Sequence, residues 1–268
     1  MMHPIEHLRY VARASGADPR VLVQETATAF SSFAFDPAGL VTACRRIIER
    51  HPAVGPLWWL AARVLTAGDP TEEAWRCVDE LDNDPTASEL AHGLPDEATV
   101  CVVGWPATIG DGLARRGDLE VLVVDVLDEG AGLVRRLHRA EVEATEVPVA
   151  GLGAAAAAAD LVLLEATALG PAGFVGVQGS RAAASVAYCA EQPVWLVGGV
   201  GRMLPSLLFN ALAGRVLADD DPWQLDDEVV PLGLLTHVVG PWGVLPPADA
   251  LDHTDCPMAA ELLKTVAF

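Results

Sequence analysis

The chain has 268 residues, 51% of them apolar and only 20% charged, with 37 acidic against 17 basic side chains and a net charge of -20. That length and apolar share suffice for a buried core in one large or two modest domains. The acidic balance argues against a direct nucleic-acid binder, because phosphate contacts need a basic face, and against docking on anionic membranes.

The chain opens with MMHPIEHLRY, which lacks the basic-then-apolar order of a secretory signal. Every apolar run is broken by Gly, Pro or charge well before ~18 residues, so no membrane span is expected. Residues 1–95 read as a helical N-terminal domain. AGLVTACRRIIERHP places apolar residues at helical spacing with charges opposite. AVGPLWWLAARVL follows, and its adjacent Trp58 and Trp59 suit a core or a subunit interface better than a ligand stack. DPTEEAWRCVDELD opens on Asp69, Pro70 and Thr71, with Glu72 and Glu73 in the first turn, the signature of a helix start.

After ELAHGLPDEAT the texture changes, and residues 96–268 read as a Rossmann-like α/β domain. The short apolar runs VCVV, EVLVVDV, ATEVPV, DLVLLEA, PVWLVGG and LTHVVG are expected strands. The expected helices between them are ATIGDGLARRG, EGAGLVRRLHRA, GLGAAAAAADL and SRAAASVAYCAEQ. Strands that are apolar throughout are buried on both faces, and their alternation with helices predicts a mostly parallel sheet. The alanine run is a good helix former whose small side chains let the helix lie close on the sheet.

Polar groups are sparse where such a sheet presents ligands, at the carboxyl ends of its strands. In GWPATIGDG, Gly104, Trp105 and Thr108 precede or open a helix whose N-terminus can attract an anion, but no Walker lysine is present. Asp125 and Glu165 each end a strand. They could share a proton or bind a cation or sugar hydroxyls, or each could cap the loop that follows. In GVQGSRAAA, Gln178 and Ser180 lie beside glycines, and Ser180 is the expected N-cap of the next helix. No GxSxG elbow occurs there. His237 is read as a core residue of the last strand. His3, His7, His51, His92, His138 and His253 show no metal-ligand spacing, so no metal is expected. Cys44, Cys77, Cys101, Cys189 and Cys256 form no CxxC pair, which points to reduced thiols in a cytoplasmic protein.

The order of five segments resembles the regulatory-subunit family of eukaryotic translation initiation factor 2B, with methylthioribose-1-phosphate isomerase and ribose-1,5-bisphosphate isomerase. They are VVGWPATIGDGLARR, VVDVLDEGAGLVRRL, LVLLEATALGPAGFVGVQGSRAAASVA, PVWLVGGVGRM and VPLGLLTHVVGPWGVLPP. The likeness spans roughly residues 53–246. It implies a helical part followed by a Rossmann-like sheet of the NagB/RpiA/CoA-transferase-like kind, and a homodimer. The family's isomerases use a Cys and an Asp to move a proton between sugar carbons. Gly104 and Thr167 stand at the matching positions. Leu127 and Asp128 fall near the place of the family's Arg, Gly176 and Val177 replace its Asn-Lys, and Arg202 matches a Lys. Glycine has no side chain, and an unactivated threonine hydroxyl is no general base. Cys101, three positions before Gly104, is read as a buried structural thiol.

Two readings follow. In the first, the chain is a non-catalytic family member, without cofactor, that binds a protein or a small phosphorylated metabolite. In the second, it is a sugar-phosphate isomerase or related enzyme with a rebuilt site, in which Asp125, Glu165 and Thr167 supply polar groups and Arg202 holds phosphate.

Overall fold

A computed structural model describes residues 19–33, 36–218 and 221–264. The opening decapeptide, with His3 and His7, lies outside the described residues. Among the described residues five helices come first: α1 (Pro19–Phe30), α2 (Pro37–Arg50), α3 (Gly55–Thr66), α4 (Pro70–Asp82) and α5 (Thr86–Gly93). The helix starts obey local chemistry. Asp36 Oδ1 accepts from the Gly39 amide at 2.9 Å. Asp69 Oδ1 accepts from the Thr71 and Glu72 amides at 2.9 and 3.0 Å, so each aspartate quenches free N–H groups ahead of a proline-led first turn. α3 is apolar nearly all round and is correspondingly buried. Trp58 and Trp59 are both fully enclosed within the chain.

From Thr99 onward strands and helices alternate: β1 (Thr99–Val103), α6 (Ala107–Leu113), β2 (Glu120–Asp125), α7 (Gly130–Arg139), β3 (Glu143–Pro148), α8 (Leu152–Ala158) and β4 (Leu161–Glu165). Then follow β5 (Ala168–Gly170), β6 (Gly173–Val177), α9 (Ser180–Cys189), β7 (Val194–Val197), α10 (Ser206–Val216), β8 (Asp227–Val230), β9 (His237–Gly240), β10 (Gly243–Leu245) and α11 (Pro247–Ala250). The main sheet has seven strands in the order β10-β9-β7-β4-β1-β2-β3. It is parallel except for the β9–β10 edge hairpin. All six expected strands are in it.

Alternate residues of β1 serve opposite faces. Cys101 and Val103 pack with α8 and α9 residues Ala155, Ala156, Ala183 and Ala187. Val100 and Val102 pack with Leu90, Ile109 and Leu133 of α5, α6 and α7. The sheet is therefore covered on both sides, as its apolar strands require. A third core cluster joins α1–α4 to Leu208, Phe209 and Leu212 of α10 and to Ala168 and Val175 of the second sheet.

That second sheet departs from the sequence reading. The glycine-broken stretch between β4 and α9, read as a loop, folds into the β5–β6 hairpin. With β8 it makes a three-stranded antiparallel sheet. Val177 on β6 pairs with Asp227 on β8. α10 was likewise absent from the sequence reading. Among the described residues, no helix is long and apolar enough to cross a membrane.

Candidate functional site

The carboxyl ends of β1, β2 and β4 define the edge where the sequence placed its candidate residues. Gly104 follows β1 directly, and its φ of +71° lies in the left-handed region. A Cβ built there would sit 3.6 Å from side-chain carbons of Val126 and Val177. Two valines thus face the position where the isomerase nucleophile would stand. Cys101 points into the core instead, and burial pushes its thiol up to about 12, which leaves it protonated and inert.

Glu165 closes β4 and reaches across to the start of α6. Its Oε2 accepts from the Ile109 amide at 3.1 Å, and its Oε1 accepts from Thr108 Oγ1 at 3.1 Å. Arg202 donates through Nη1 to the same Oε1 at 2.7 Å. The two side chains of this pair are only 13% and 12% exposed. α6 has no side-chain cap of its own, since Pro106 precedes it. The anion at this helix start is the protein's own carboxylate. Arg202, expected to hold phosphate in the enzyme reading, already has its counter-ion.

Asp125 serves its own loop. Its Oδ1 accepts from the Glu129 and Gly130 amides at 2.9 and 3.0 Å, capping the start of α7. Strand β1 lies between β2 and β4, so Asp125 and Glu165 do not end adjacent strands, and their partners differ. Asp125 caps the loop that follows it, one of the roles open in sequence; Glu165 instead caps the start of α6, far earlier in the chain. Thr167 is engaged too. Its amide and hydroxyl both donate to the Val175 carbonyl, at 2.8 and 3.3 Å, and its carbonyl accepts from the Gly55 amide at 3.1 Å. Trp105 is 43% exposed, and its ring lies against Gly132 of α7, where a Cβ would have no room.

The loop into α9 behaves differently. The Gln178 amide donates to the Asp226 carbonyl at 2.7 Å. Its Oε1 is buried with no partner, as is the Ser180 hydroxyl. Ser180 is not the N-cap that the sequence predicted. Gly179 takes that place with φ +95°, and Glu228 Oε1 accepts from the Arg181 amide at 2.9 Å. The hydroxyl is turned inward by the left-handed glycine before it. His237 is half-buried at the start of β9, with Nδ1 3.2 Å from Thr236 Oγ1 and its ring tilted against Trp195. Among the described residues no group of acidic, His or Cys side chains could hold a metal ion.

Sequence reasoning missed two concave features. One cavity of about 410 Å³ surrounds Arg63, with Glu73, Glu80 and Asp255 on its wall. Arg63 is saturated there: it pairs with Glu73 and Glu80 at 2.5 Å each, lies 3.5 Å from Asp255, and stacks over Trp59. A second cavity, of about 430 Å³, lies where α2–α3, α10 and β8 meet, and is lined by Arg215, Asp226 and Asp227 among others. Its signal in the sequence was a single arginine at the end of the apolar stretch SLLFNALAGRV, and an aspartate pair at the start of a strand. None of Gly104, Thr108, Asp125, Glu165, Thr167, Gln178 or Arg202 lines either cavity.

Known structures share this architecture. The Pyrococcus horikoshii OT3 translation initiation factor eIF-2B matches with a TM-score of 0.76 at 15% identity, over 92% of this chain and 98% of that one. Chaetomium thermophilum eIF2B beta matches with a TM-score of 0.77 at 14% identity, over 99% of this chain and 93% of that one. A chain of the tetrameric eIF2B-beta2-delta2 complex from C. thermophilum matches with a TM-score of 0.76 at 15% identity, over 93% and 92%. At these identities the likeness establishes the fold, and it is the fold that the segment order implied. No protein-family model matches the chain, and no curated protein does.

Proposed function

We propose that this chain is a divergent, non-catalytic protein of the initiation-factor-2B regulatory-subunit kind, a cytoplasmic homodimer that acts by binding a protein or a small metabolite. One observation carries the reading. The two strand-end carboxylates are engaged within the chain: Glu165 holds Arg202, Thr108 and the Ile109 amide, and Asp125 Oδ1 caps α7. A general base must be placed to take the substrate proton; Glu165 is instead tied at both oxygens to the chain, and Asp125 at Oδ1. The beta2-delta2 assembly of a protein with this fold supports the view that such a chain works through other chains. The division into a helical domain over 1–95 and an α/β domain over 96–268 belongs to the same proposal.

The test has two arms. Aldose phosphates incubated with the protein and followed by NMR should yield no ketose. Light scattering should give a particle of twice the 28.1 kDa chain mass. Protein-dependent ketose formation would overturn the non-catalytic reading, and a monomer at micromolar concentration would overturn the dimer.

A second reading, a rebuilt active site, draws support from the unpartnered Gln178 Oε1 and Ser180 Oγ at the loop into α9. Buried polar atoms without partners are uncommon, and a ligand would satisfy them. Ketose formation lost in Ser180→Ala would favour it.

A further inference from the structure

The cavity beside α10 is built from unmatched charges. Arg215, in the last turn of that helix, lies over the Trp58 ring with its guanidinium carbon 4.7 Å from the ring centroid. The indole N–H is already used, donating to the Pro52 carbonyl at 3.1 Å. A stacked guanidinium still needs acceptors around its edge, yet Arg215 Nη1 is buried with none. Burial makes the charged form costlier, and Glu49 is the carboxylate whose field opposes that. Asp226 and Asp227 line the same cavity at the head of β8. Burial, and then the neighbouring Asp226 charge, push the Asp227 carboxyl up to about 6. Among the described residues Arg215 forms no ion pair with either aspartate. Opposite charges thus share one cavity without touching.

The rest of the wall is apolar, from Pro52, Ala53, Val216 and Leu225. A volume of about 430 Å³ falls low in the ~300–1,000 Å³ range of small-molecule sites. A simple anion such as phosphate would meet Arg215 but be repelled by two aspartates. A simple cation would meet the aspartates but be repelled by Arg215. A ligand with both charges and an apolar body satisfies all three walls at once.

We propose that this cavity binds a free α-amino acid with an apolar side chain, its carboxylate toward Arg215 and its ammonium toward Asp226 and Asp227. The site deepens the reading of a binding protein and rests on it for its non-catalytic character alone. The strand-edge residues take no part.

The test is calorimetric titration of the whole chain with each apolar amino acid, its amide, its N-acetyl derivative and inorganic phosphate. At least one amino acid should bind saturably. The amide, lacking the carboxylate, and the N-acetyl form, lacking the ammonium, should each bind at least tenfold more weakly. Arg215→Gln and Asp227→Asn should abolish the heat. Asp226→Asn, at an exposed position where folding is not at stake, should weaken binding severalfold. Failure of every amino acid to bind, equal binding of the blocked forms, or tighter binding of phosphate would overturn the site and leave the non-catalytic reading standing. Mass spectrometry of the same samples separates the two claims. An amino acid that binds and is recovered unchanged supports both. One that binds and is consumed keeps the site and overturns the non-catalytic reading.

Discussion

Arg202 donates to Glu165 across 2.7 Å, and both side chains are largely withdrawn from solvent. The carboxylate simultaneously quenches the first turn of α6. A strand end, a helix start and the segment after β7 are thereby pinned to one atom group. Removing one member of such a pair strands the other's charge, at a cost of about 3 kcal/mol. Urea denaturation of Arg202→Ala and Glu165→Gln should each show a loss of that order. The double variant should lose less than the sum by more than about 0.5 kcal/mol, the mark of coupled partners. Additive losses would mean that the contact contributes no coupling.

The junction at Thr167 depends on absent side-chain volume. The Gly55 amide donates to the Thr167 carbonyl, and a Cβ on Gly55 would collide with that same backbone oxygen. Neither group is the end of a flexible side chain, so relief requires a backbone shift. Gly55→Ala should therefore destabilise by at least about 2 kcal/mol by overpacking. At Gly68, where nothing lies within 4 Å of a built Cβ, the same substitution should stay within about 0.5 kcal/mol. Comparable losses at the two positions would contradict the packing argument.

Placing a thiol where the resembled isomerases carry one should not create isomerase chemistry. Gly104→Cys has room, with the nearest side-chain carbons at 3.6 Å, but must hold φ at +71°. That strain should cost about 1–2 kcal/mol. The new thiol would face Val126 and Val177 rather than a base. Gly104→Cys combined with Thr167→Asp should remain without isomerase activity in an NMR assay. Ketose formation by that double variant would show that the edge retains a working substrate site.

Asp227 gives a pH signature. Its carboxyl is raised from 3.8 to about 6 in the folded chain, by burial and by Asp226. The unfolded chain loses this proton first as pH rises, so this group's contribution to stability falls between about 4 and 6 and stays low above. Asp226 and Glu228 flank it on its own segment, and Arg215, under the field of Glu49, lines the same cavity. Asp227→Asn should thus stabilise the free protein by up to about 3 kcal/mol at pH 7.5 and change little at pH 4. A variant with the same effect at both pH values would exclude this titration as the cause.

Much of the fold was legible because its signals are local. Apolar runs such as VCVV and DLVLLEA have no solvated face, and in the sheet they pair on both sides. Asp69 announced α4 because an N-cap depends on only the next three residues. The β5–β6 hairpin was hidden. ALGPAGFVGV carries six small or turn-forming residues, and its strands are stabilised by β8, some fifty positions later. The candidate site was legible as a set of residues but not as a set of contacts. Thr108, Glu165 and Arg202 were all singled out, yet nothing in a linear sequence says that the carboxylate turns back onto the helix and the arginine. Arg215 passed unnoticed because Trp58 beneath it and the head of β8 across its cavity are brought near it by tertiary packing alone.

The central claim is that this edge does not perform proton transfer on a sugar phosphate. Solvent exchange tests it most directly, since it detects proton abstraction even when no net isomerisation accumulates. The protein is incubated in deuterium oxide with aldose and ketose phosphates, and the protons beside the carbonyl carbon are followed by NMR. The account predicts exchange no faster than in buffer, for the wild type and for Glu165→Gln alike. Protein-dependent exchange that disappears in Glu165→Gln would contradict it, because the carboxylate would then be a working base rather than a cap.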